Sequence, residues 1–276
     1  MQLENKKEQL LKYMEELSSE DLVLAFSGGV DSSLLLRLAV DATKRHGKKV
    51  YAVTFQTRLH PPCDLDIAQK VADEMQAIHQ ILTVDELEME AIRSNPENRC
   101  YLCKHHLFEK LMEFAEKQDV HRILDGTNED DLHVYRPGIR ALRELGILSP
   151  LAACHVTKAE VKQFAADYGI SVAHRPSAPC MATRLPYGSQ LDYELLERIS
   201  QGEEWLHEQF GAECNIRLRV HGDLVRIEVE KEQMGYVLER SKEIANRLHE
   251  LGFPYVTLDL EGFRSGSMDL NLKGDL

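Results

Sequence analysis

The stretch AFSGGVDSSLLLRLA, residues 25–39, places a glycine-rich turn between a short apolar segment and a helix-like one. Residues 22–26 form a brief, bounded apolar run that is typical of a buried strand. The residues after the turn have helical spacing and reach Lys, Arg, His and Gly at 44–47, which are common helix-end signals. A turn at a helix N-terminus favours an anion, because backbone N–H groups and the helix dipole point at it. The stretch therefore predicts a phosphate-binding loop.

The side chains of this loop support the same prediction. Its two glycines let the backbone approach a ligand closely, its hydroxyls add donors, and its carboxylate can hold Mg²⁺ or cap the helix. The loop is not the GxxxxGK[ST] P-loop, since no Lys follows the glycines. The alternative is an ordinary helix cap that binds nothing. The loop residues in question are Ser27, Gly28, Gly29, Asp31, Ser32 and Ser33.

The first part of the chain alternates predicted strands and helices. Further strands are predicted at 48–57, at 77–84 and from 121, with helical segments between them. This alternation predicts an α/β fold with a parallel, doubly wound sheet over residues 1–175. Ligands of such sheets lie at the carboxyl ends of the strands, where the loop at 27–33 and the polar DGTNEDD segment at 125–131 both fall.

The second part predicts a smaller domain of a different kind. Residues 174–190 contain three prolines and little periodicity, so they are interpreted as a functional loop between domains. Residues 190–276 then give a helix, two strands, one helix at 233–252 and a last strand, which predicts a small α+β unit.

The bulk composition is that of a soluble globular protein. The chain has 276 residues, of which 43% are hydrophobic and 29% charged, and it contains no apolar run of the ~20 residues that a membrane span needs. Its N-terminus is a charged amphipathic segment rather than a secretory signal, so a cytoplasmic location is expected. The net charge of −13 argues against a broad nucleic-acid-binding surface.

Three cysteines form a second candidate constellation. Cys100 and Cys103 have C-x2-C spacing at a predicted helix start, and Cys180 lies in the proline-rich loop. Three thiolates are one short of the four that hold an ordinary [4Fe–4S] cluster, which would leave one iron open for sulfide. A structural zinc site with His105 or His106, a redox dithiol and unrelated buried thiols are the alternatives. The remaining cysteines are interpreted as structural: Cys63, Cys154 and Cys214.

These segments carry two family resemblances. SGGVDS resembles the PP-loop of the ATP pyrophosphatase superfamily, whose members cleave ATP between the α and β phosphates and adenylate a substrate oxygen. The segments SAPCMATRLPYG, DGTNEDDLHVYRPGIRAL, RLRVHGDLVRIE and YVTLDLEGFRSG resemble the LarE family across essentially the whole chain. That family comprises ATP-dependent sulfur transferases that help to build the nickel-pincer nucleotide cofactor of lactate racemase.

The LarE resemblance implies a fold, a reaction and cofactors. The fold is an adenine nucleotide alpha hydrolase-like PP-loop domain with a substrate-binding and oligomerisation domain after it. MgATP adenylates a carboxylate of a pyridinium mononucleotide with release of PPi, and a sulfur nucleophile then displaces AMP to give a thiocarboxylate. Some members sacrifice a loop cysteine and keep dehydroalanine, whereas three-cysteine members hold a [4Fe–4S] cluster with an extra sulfide. This chain looks like the three-cysteine type, with a sulfur donor and a homo-oligomer as implied partners.

The resemblance also assigns residues. The catalytic set is Asp31, Cys180, Arg184 and Glu203, and the metal ligands are Cys100, Cys103 and Cys180. Arg217 and Arg219, two apart on a strand and so on one face, hold the substrate phosphate. Composition alone interprets these two arginines as a solvated face and Glu203 as an exposed helix residue. The nucleotide-binding set adds to the loop residues Gly126, Asp131 and Lys158, with Asp125, Asn128 and Arg136 beside them.

Two rival functions make different predictions. A tRNA thiolation enzyme with a PP-loop and three cluster cysteines needs a basic RNA-binding surface, which the charge of −13 disfavours. A non-catalytic nucleotide-binding module with a structural zinc predicts stoichiometric zinc without iron or acid-labile sulfide.

Overall fold

The chain folds into two compact units in the computed structural model, which describes residues 2–60, 63–134, 136–175, 179–211, 214–264 and 266–268. Unit 1 comprises Met1–Thr57, Pro62–Glu86 and Asn98–Ser177, and unit 2 comprises Arg58–Pro61, Leu87–Glu97 and Ala178–Leu276. Each unit is thus assembled from segments that are separate in the sequence. The domain boundaries at 175 and 190 stay a prediction. Residues 176–178 of the predicted connecting loop and the side chain of Cys63 lie outside the described part.

Eleven α-helices and seven strands occupy the described part of the chain. The α-helices are, in chain order, α1 (Gln2–Leu17), α2 (Val30–His46), α3 (Cys63–Glu74), α4 (Glu90–Arg93), α5 (Arg99–Lys117), α6 (Gly138–Glu144), α7 (Pro150–Ala153), α8 (Lys158–Asp167), α9 (Tyr193–Phe210), α10 (Met234–Glu239) and α11 (Ser241–Glu250). The strands are β1 (Leu22–Ala25), β2 (Val50–Gln56), β3 (Ile78–Thr83), β4 (Arg122–Leu124), β5 (Arg217–His221), β6 (Leu224–Glu228) and β7 (Tyr255–Leu258). Short 3-10 helices lie at Glu86–Glu88, Asp130–His133, Met181–Arg184 and Lys231–Gln233.

Unit 1 is built on a parallel four-stranded sheet with the order β3-β2-β1-β4. The central strand β1 pairs with β2 on one side and with β4 on the other, so that Leu22 lies opposite both Val50 and Arg122. Because the strands are parallel, the segments that follow β1 and β4 leave the sheet at the same edge. The parallel α/β sheet predicted from the alternation is confirmed.

Helices cover both faces of this sheet. Leu22 and Leu24 of β1 belong to a core that includes residues of α1, α2, α3 and α8. Val23, between them, belongs to a second core with residues of α5 and α6. Alternate strand residues point to opposite faces, so a continuously apolar β1 serves both cores. The doubly wound arrangement follows from this pattern.

The central helix α2 begins and ends where the sequence predicts. It starts directly after its N-cap residue, Gly29, and its last turn carries Lys44, Arg45 and His46. Gly47 then adopts φ 64°, the left-handed conformation that closes many helices and that glycine takes without strain. The phosphate loop therefore lies at the N-terminus of a buried helix.

Unit 2 contains a three-stranded sheet with the order β5-β6-β7, in which β5 and β6 are antiparallel and β6 and β7 are parallel. One face is apolar, and its residues are at most 2% exposed: Leu218, Val220, Val225 and Ile227. Gly202 of α9 packs so closely on this face that a Cβ would lie 2.6 Å from Leu218 Cδ1. The apolar face forms the core of the unit.

The opposite face of the same sheet is charged. The register places Arg217 opposite Glu228 and Arg219 opposite Arg226, so all four side chains lie on one face. Only Arg226 among them is more than 7% exposed. A charged face that is also buried is unusual, because burying charges is costly unless they are paired.

One predicted helix is divided in the structure. The segment 233–252 forms α10 and α11, which are separated at Arg240, where φ is −101° and ψ is 17°. The Arg240 side chain bonds Tyr236, on the preceding helix, and Glu243, on the following one. The prediction of a single helix was wrong because apolar periodicity continues across a local turn that side-chain hydrogen bonds stabilise.

Candidate functional site

The phosphate loop turns tightly between β1 and α2. Gly28 has φ 69°, and a Cβ there would lie 2.9 Å from the backbone N and Cα of Ala68 in α3. Only glycine fits a left-handed position this close to another backbone. The first N–H groups of α2 have no partner within the helix, so the loop provides backbone donors for phosphate oxygens.

Hydroxyl groups of the loop hold this turn together. Ser27 Oγ accepts a hydrogen bond from the Gly29 N–H at 3.3 Å and lies 3.3 Å from Ser32 Oγ. Ser32 Oγ also donates to the Gly29 carbonyl at 3.1 Å. Ser33 is fully buried, and its Oγ makes no hydrogen bond within the described part of the chain. Ser27 is exposed and is the loop hydroxyl placed to meet a ligand from solvent.

Asp31 is the centre of a polar network in unit 1. Its Oδ1 accepts a hydrogen bond from Asn128 Nδ2 at 3.0 Å, and its Oδ2 pairs with Lys158 Nζ. Asp131 accepts from the Asn128 N–H at 3.2 Å and pairs with Arg136 at 3.0 Å. Carboxylate oxygens are the ligands that Mg²⁺ prefers, and cations beside them balance phosphate charge. The network therefore brings the predicted nucleotide-binding side chains together.

The end of β4 contacts the phosphate loop through Gly126. A Cβ at this position would lie 3.1 Å from the Ser32 backbone N and 3.3 Å from Asp31 Cβ. The preceding Asp125 is 4% exposed and accepts from Thr127 Oγ1 at 2.6 Å and Ser149 Oγ at 2.5 Å. Asp125 thus fixes the turn after β4, while Gly126 permits this turn to approach the first residues of α2.

The C-x2-C pair lies at the N-terminal end of α5, in the same unit. Cys100 and Cys103 are both partly buried, and Arg99 Nη2 lies 3.5 Å from Cys100 Sγ as a donor. One residue beyond the pair, Lys104 Nζ lies 3.4 Å from Asp125 Oδ2. Lys104 therefore ties the helix that carries both cysteines to the strand end beside the phosphate loop.

Cys180 lies in unit 2, directly before the 3-10 helix Met181–Arg184. Arg184 and Glu203 form a buried two-pronged ion pair, with Nε–Oε1 at 2.9 Å and Nη2–Oε2 at 2.7 Å. The side chains of the pair are only 3% and 8% exposed. The interpretation of Glu203 as an exposed helix residue was therefore wrong. Its carboxylate is drawn inward by Arg184 and by the Leu218 N–H, which donates at 2.8 Å.

The two strand arginines of unit 2 are buried in different ways. Arg219 pairs with Glu228 at 3.1 Å, whereas Arg217 has no carboxylate within ion-pair distance in the described part of the chain. Burial, followed by the charge of Arg184, lowers the pKa of the Arg217 guanidinium to about 10 against an opposing effect of Glu203. Burial also lowers the pKa of Arg219, while Glu228 opposes that shift. Arg217 therefore carries an excess buried positive charge, which an anionic ligand would balance.

The structure therefore distributes the predicted residues over two sets. The phosphate loop, Gly126, Asp131, Lys158 and the C-x2-C pair lie in unit 1, and Cys180, Arg184, Glu203, Arg217 and Arg219 lie in unit 2. No group of three or more His, Cys, Asp or Glu side chains is arranged as a ready metal-ligand set among the described residues. Sequence reasoning missed Lys104 and Glu228, whose contacts with Asp125 and Arg219 depend on the fold, and it also missed Arg99, which contacts the adjacent Cys100.

Comparison with known proteins identifies the family. A family model described as a PP-loop domain matches residues 2–135. A pyridinium-3,5-bisthiocarboxylic acid mononucleotide synthase of Lactiplantibacillus plantarum is 32% identical over 267 residues, which are 97% of this chain and 95% of that protein. This chain belongs to the LarE family. An uncharacterized protein of Synechocystis sp. is 36% identical over 269 residues, 97% of this chain and 98% of that protein.

Membership of the LarE family makes the protein an ATP-dependent sulfurtransferase that uses ATP with Mg²⁺. A 7-cyano-7-deazaguanine synthase of Helicobacter pylori is 42% identical over 72 residues, but these are only 26% of this chain and 30% of that protein. That likeness is local, whereas the LarE likeness spans both units. Among the residues that the structure describes, no helix is long and apolar enough to cross a membrane.

Substituting Gly126→Ala should weaken nucleotide binding without unfolding unit 1. The new Cβ would crowd the Ser32 amide from 3.1 Å, so the loop must shift by a few tenths of an ångström. We expect at least a tenfold loss of affinity, about 1.4 kcal/mol, for an ATP analogue with a methylene between the α and β phosphates. Calorimetric titration measures this loss. Gly235→Ala, where a Cβ meets nothing within 4 Å, is the control, and an equal affinity for both variants would contradict the close approach.

Substituting Arg217→Met should raise the thermal stability of the ligand-free protein. It removes a buried cation that lacks a carboxylate partner in the described part of the chain, and its apolar side chain can pack on the Phe263 ring, whose centroid lies 5.4 Å from the guanidinium carbon of Arg217. Below pH 10 the guanidinium is charged in the folded and the unfolded state, and its lowered pKa means that this charge destabilises the fold, so the gain should be fully present at neutral pH. We expect the Tm to rise by about 2 °C or more. Arg219→Met is the matched control and should lower the Tm, since it leaves Glu228 with one partner fewer.

Proposed function

We propose that this protein adenylates a carboxylate of a pyridinium mononucleotide with MgATP and converts it to a thiocarboxylate. The observation that carries the proposal is the convergence, within unit 1, of the phosphate loop and the C-x2-C helix on the end of β4. Gly126 meets Ser32 there, and Lys104 meets the adjacent Asp125. The predicted ATP-binding loop and the helix that carries the predicted sulfur-handling cysteines thus both contact the segment that follows β4. The substrate class is supported by the name of the Lactiplantibacillus plantarum relative.

The proposed reaction has two balanced steps. A carboxylate oxygen of the substrate attacks the α phosphorus of ATP, and the bond to the bridging oxygen breaks with its electron pair leaving on PPi. The product is an acyl adenylate. A sulfide nucleophile then attacks the acyl carbon, and AMP leaves with the electron pair of the C–O bond. The carboxylate has exchanged one oxygen for sulfur, and no oxidant or reductant is needed.

The nucleotide half of this reaction falls to unit 1. The loop N–H groups and the Ser27 hydroxyl bind phosphate oxygens, and Lys158 balances the charge of the departing pyrophosphate. Asp31, with Asp131 beside it, supplies the oxygen ligands for Mg²⁺. The hydrogen bond from Asn128 and the contact with Lys158 already hold the Asp31 carboxylate in place, so little reorganisation is required of it.

The sulfur half depends on the three cysteines of the predicted cluster. Cys100 and Cys103, at the N-terminal end of α5, offer two thiolates about one helical turn apart, a spacing that suits a common metal centre. Cys180 is the proposed third ligand, which matches the three-cysteine pattern rather than the sacrifice of one cysteine. A [4Fe–4S] cluster held in this way would supply sulfide at an iron that has no protein ligand. Zinc bound by the same residues is the rival hypothesis. It predicts stoichiometric zinc without iron or acid-labile sulfide, so metal analysis distinguishes the two.

The substrate half falls to unit 2. Arg217 and Arg219 lie on one face of β5, and the excess positive charge of Arg217 suits a phosphate monoester. A buried cation selects for an anionic ligand more strongly than a solvated arginine pair does, because the desolvation free energy of the buried charge is offset only when an anion binds. A sulfur donor, a homo-oligomeric state and a cytoplasmic location belong to the same proposal. A tRNA substrate is disfavoured by the net charge of −13.

Substituting Asp31→Ala should abolish PPi release from ATP in the presence of a pyridine dicarboxylate mononucleotide. The change removes the proposed Mg²⁺ ligand and the partner of both Asn128 and Lys158. We expect a loss of at least a hundredfold, about 2.7 kcal/mol, measured by a coupled PPi assay. Asp41→Ala, on the same helix and paired with Arg37, is the matched control and should retain the wild-type rate. Undiminished PPi formation by Asp31→Ala would contradict the role of the loop.

Anaerobic reconstitution should give about four irons and at least four acid-labile sulfides per chain, as the stoichiometry of a [4Fe–4S] cluster requires. Iron and sulfide analysis with a visible spectrum measures this, and the Cys100→Ser variant should bind substantially less of both. Cys154→Ser is the control, because Cys154 is buried and its thiol pKa is raised by burial. Colourless protein with stoichiometric zinc would overturn the cluster and leave adenylation as proposed.

A further inference from the structure

The backbone around Cys180 is held by a buried guanidinium of the same unit. Arg184 is 2% exposed, and its Nη1 donates to the Pro179 carbonyl at 3.0 Å and lies 3.4 Å from the Cys180 carbonyl. Its Nε and Nη2 donate to the two oxygens of Glu203. All three nitrogens of Arg184 are therefore used inside the protein, and none is directed to a ligand by these contacts.

Thr183 adds a second set of hydrogen bonds to the same carbonyl. Its Oγ1 donates to the Cys180 carbonyl at 2.7 Å, and its N–H does so at 3.1 Å. The same hydroxyl oxygen accepts from Arg184 Nη1 at 3.1 Å. The Thr183 carbonyl in turn accepts from Arg219 Nη1 at 2.8 Å. Arg184 thus bonds the carbonyls that precede the short 3-10 helix, and Arg219 bonds a carbonyl within it.

These contacts connect the loop to the sheet of unit 2. Glu203 Oε1 accepts from the Leu218 N–H of β5 at 2.8 Å, and Arg219 Nε pairs with Glu228 of β6 at 3.1 Å. Glu228 is fully buried and also accepts from Ser267 Oγ at 2.7 Å. A sheet is a rigid support, so residues tied to it are placed more precisely than residues on an unsupported loop.

The flanking residues of the loop are held as well. The Met181 N–H donates to the Leu59 carbonyl at 2.7 Å, and Asn95 Nδ2 donates to the Pro186 carbonyl at 2.8 Å. The Gly188 N–H donates back to the Asn95 carbonyl at 2.9 Å. The part of the predicted loop that follows Cys180 is therefore an ordered segment, fixed along its length by partners in unit 2.

We propose that Arg184 and Glu203 are positioning residues that fix the orientation of Cys180. Together with Thr183 and Arg219 they form what we term the Cys180 frame. Cys180 lies at the N-cap of the 3-10 helix with φ −46° and ψ 135°, so the entry of the chain there sets the direction of its side chain. The frame determines that entry by holding the carbonyls of residues 179 and 180. Both charged residues act through Cys180 rather than on reacting atoms, which replaces their expected catalytic roles.

The energetics of the pair agree with a positioning role. Burying two opposite charges seldom adds net stability, because the desolvation cost offsets their attraction. Well-packed apolar side chains could fill the same volume, but they could not donate to two carbonyls. The inference rests on the proposed function for the importance of Cys180, since a sulfur that binds a cluster must be held within about 0.5 Å of its working position.

Site-resolved alkylation of the full-length, reduced and metal-free protein tests the frame. Arg184→Lys keeps the charge but loses the planar fork, and Thr183→Val removes only the hydroxyl that bonds the Cys180 carbonyl. Iodoacetamide labelling is followed by peptide mass spectrometry at Cys180 and at Cys214, a partly buried thiol in the same unit. We expect Cys180 to react about tenfold faster relative to Cys214 in Arg184→Lys, about 1.4 kcal/mol of local opening. A smaller increase is expected in Thr183→Val.

Arg198→Lys is the matched control, because Arg198 lies on α9 like Glu203 but contacts Gly252 and Phe253 instead of the loop. It should leave the labelling ratio unchanged. Unaltered Cys180 rates in the folded variants would overturn the proposal, and so would equal increases at Cys180 and Cys214, which indicate general loosening. If Arg184→Lys does not fold, Thr183→Val decides. The labelling needs neither ATP nor substrate, so wild-type protein that makes no thiocarboxylate contradicts the proposed function and leaves the frame standing.

Discussion

The arrangement of the phosphate loop in unit 1 depends on the close approach of two backbone segments, at Ser32 and Gly126. Parallel pairing of β1 with β4 brings the residues after both strands to one edge, but pairing alone leaves room for any side chain there. The absence of a Cβ at Gly126 lets the turn after β4 come within contact distance of the first turn of α2. The hydrogen bond from Asn128 to Asp31, at 3.0 Å, joins the same two segments. Loop, carboxylate and cations are thus one assembly, set by a single glycine.

For the anionic substrate that we propose, local charge should outweigh the net charge of the chain. A chain of net charge −13 repels anions at long range, yet salt screens exposed charges beyond about 10 Å at 0.1 M ionic strength. At contact, the buried arginines of unit 2 determine the interaction, because their field is little screened. Arg219 is balanced by Glu228, whereas Arg217 is left without a carboxylate partner in the described part of the chain. The protein therefore maintains a destabilising cation where an anionic ligand would relieve it, a common compromise between stability and function.

The sequence predicts the parts of the site that depend on neighbours along the chain. The turn at 27–33 is recognisable because strand end, glycines and helix start follow one another directly. Lys104 could not be assigned, since it acts through Asp125, which only folding brings close. Glu228 was missed although a signal existed. A two-residue Gly222–Asp223 turn joins β5 and β6, and counting outward from it places residue 228 opposite 217 and residue 226 opposite 219.

The Cys180 frame also bears on how sulfur is delivered. A cysteine that is sacrificed reacts once, because its Cβ–S bond breaks. Holding its backbone in one conformation brings little benefit once the sulfur has been lost. A cysteine that serves as a ligand keeps its sulfur and must return to the same position in every turnover. Hydrogen bonds from Thr183 and Arg184 to the Cys180 carbonyl restrict the backbone as a permanent cysteine ligand requires. Two buried charges committed to that restraint favour a cysteine that is reused, in agreement with the three-cysteine pattern.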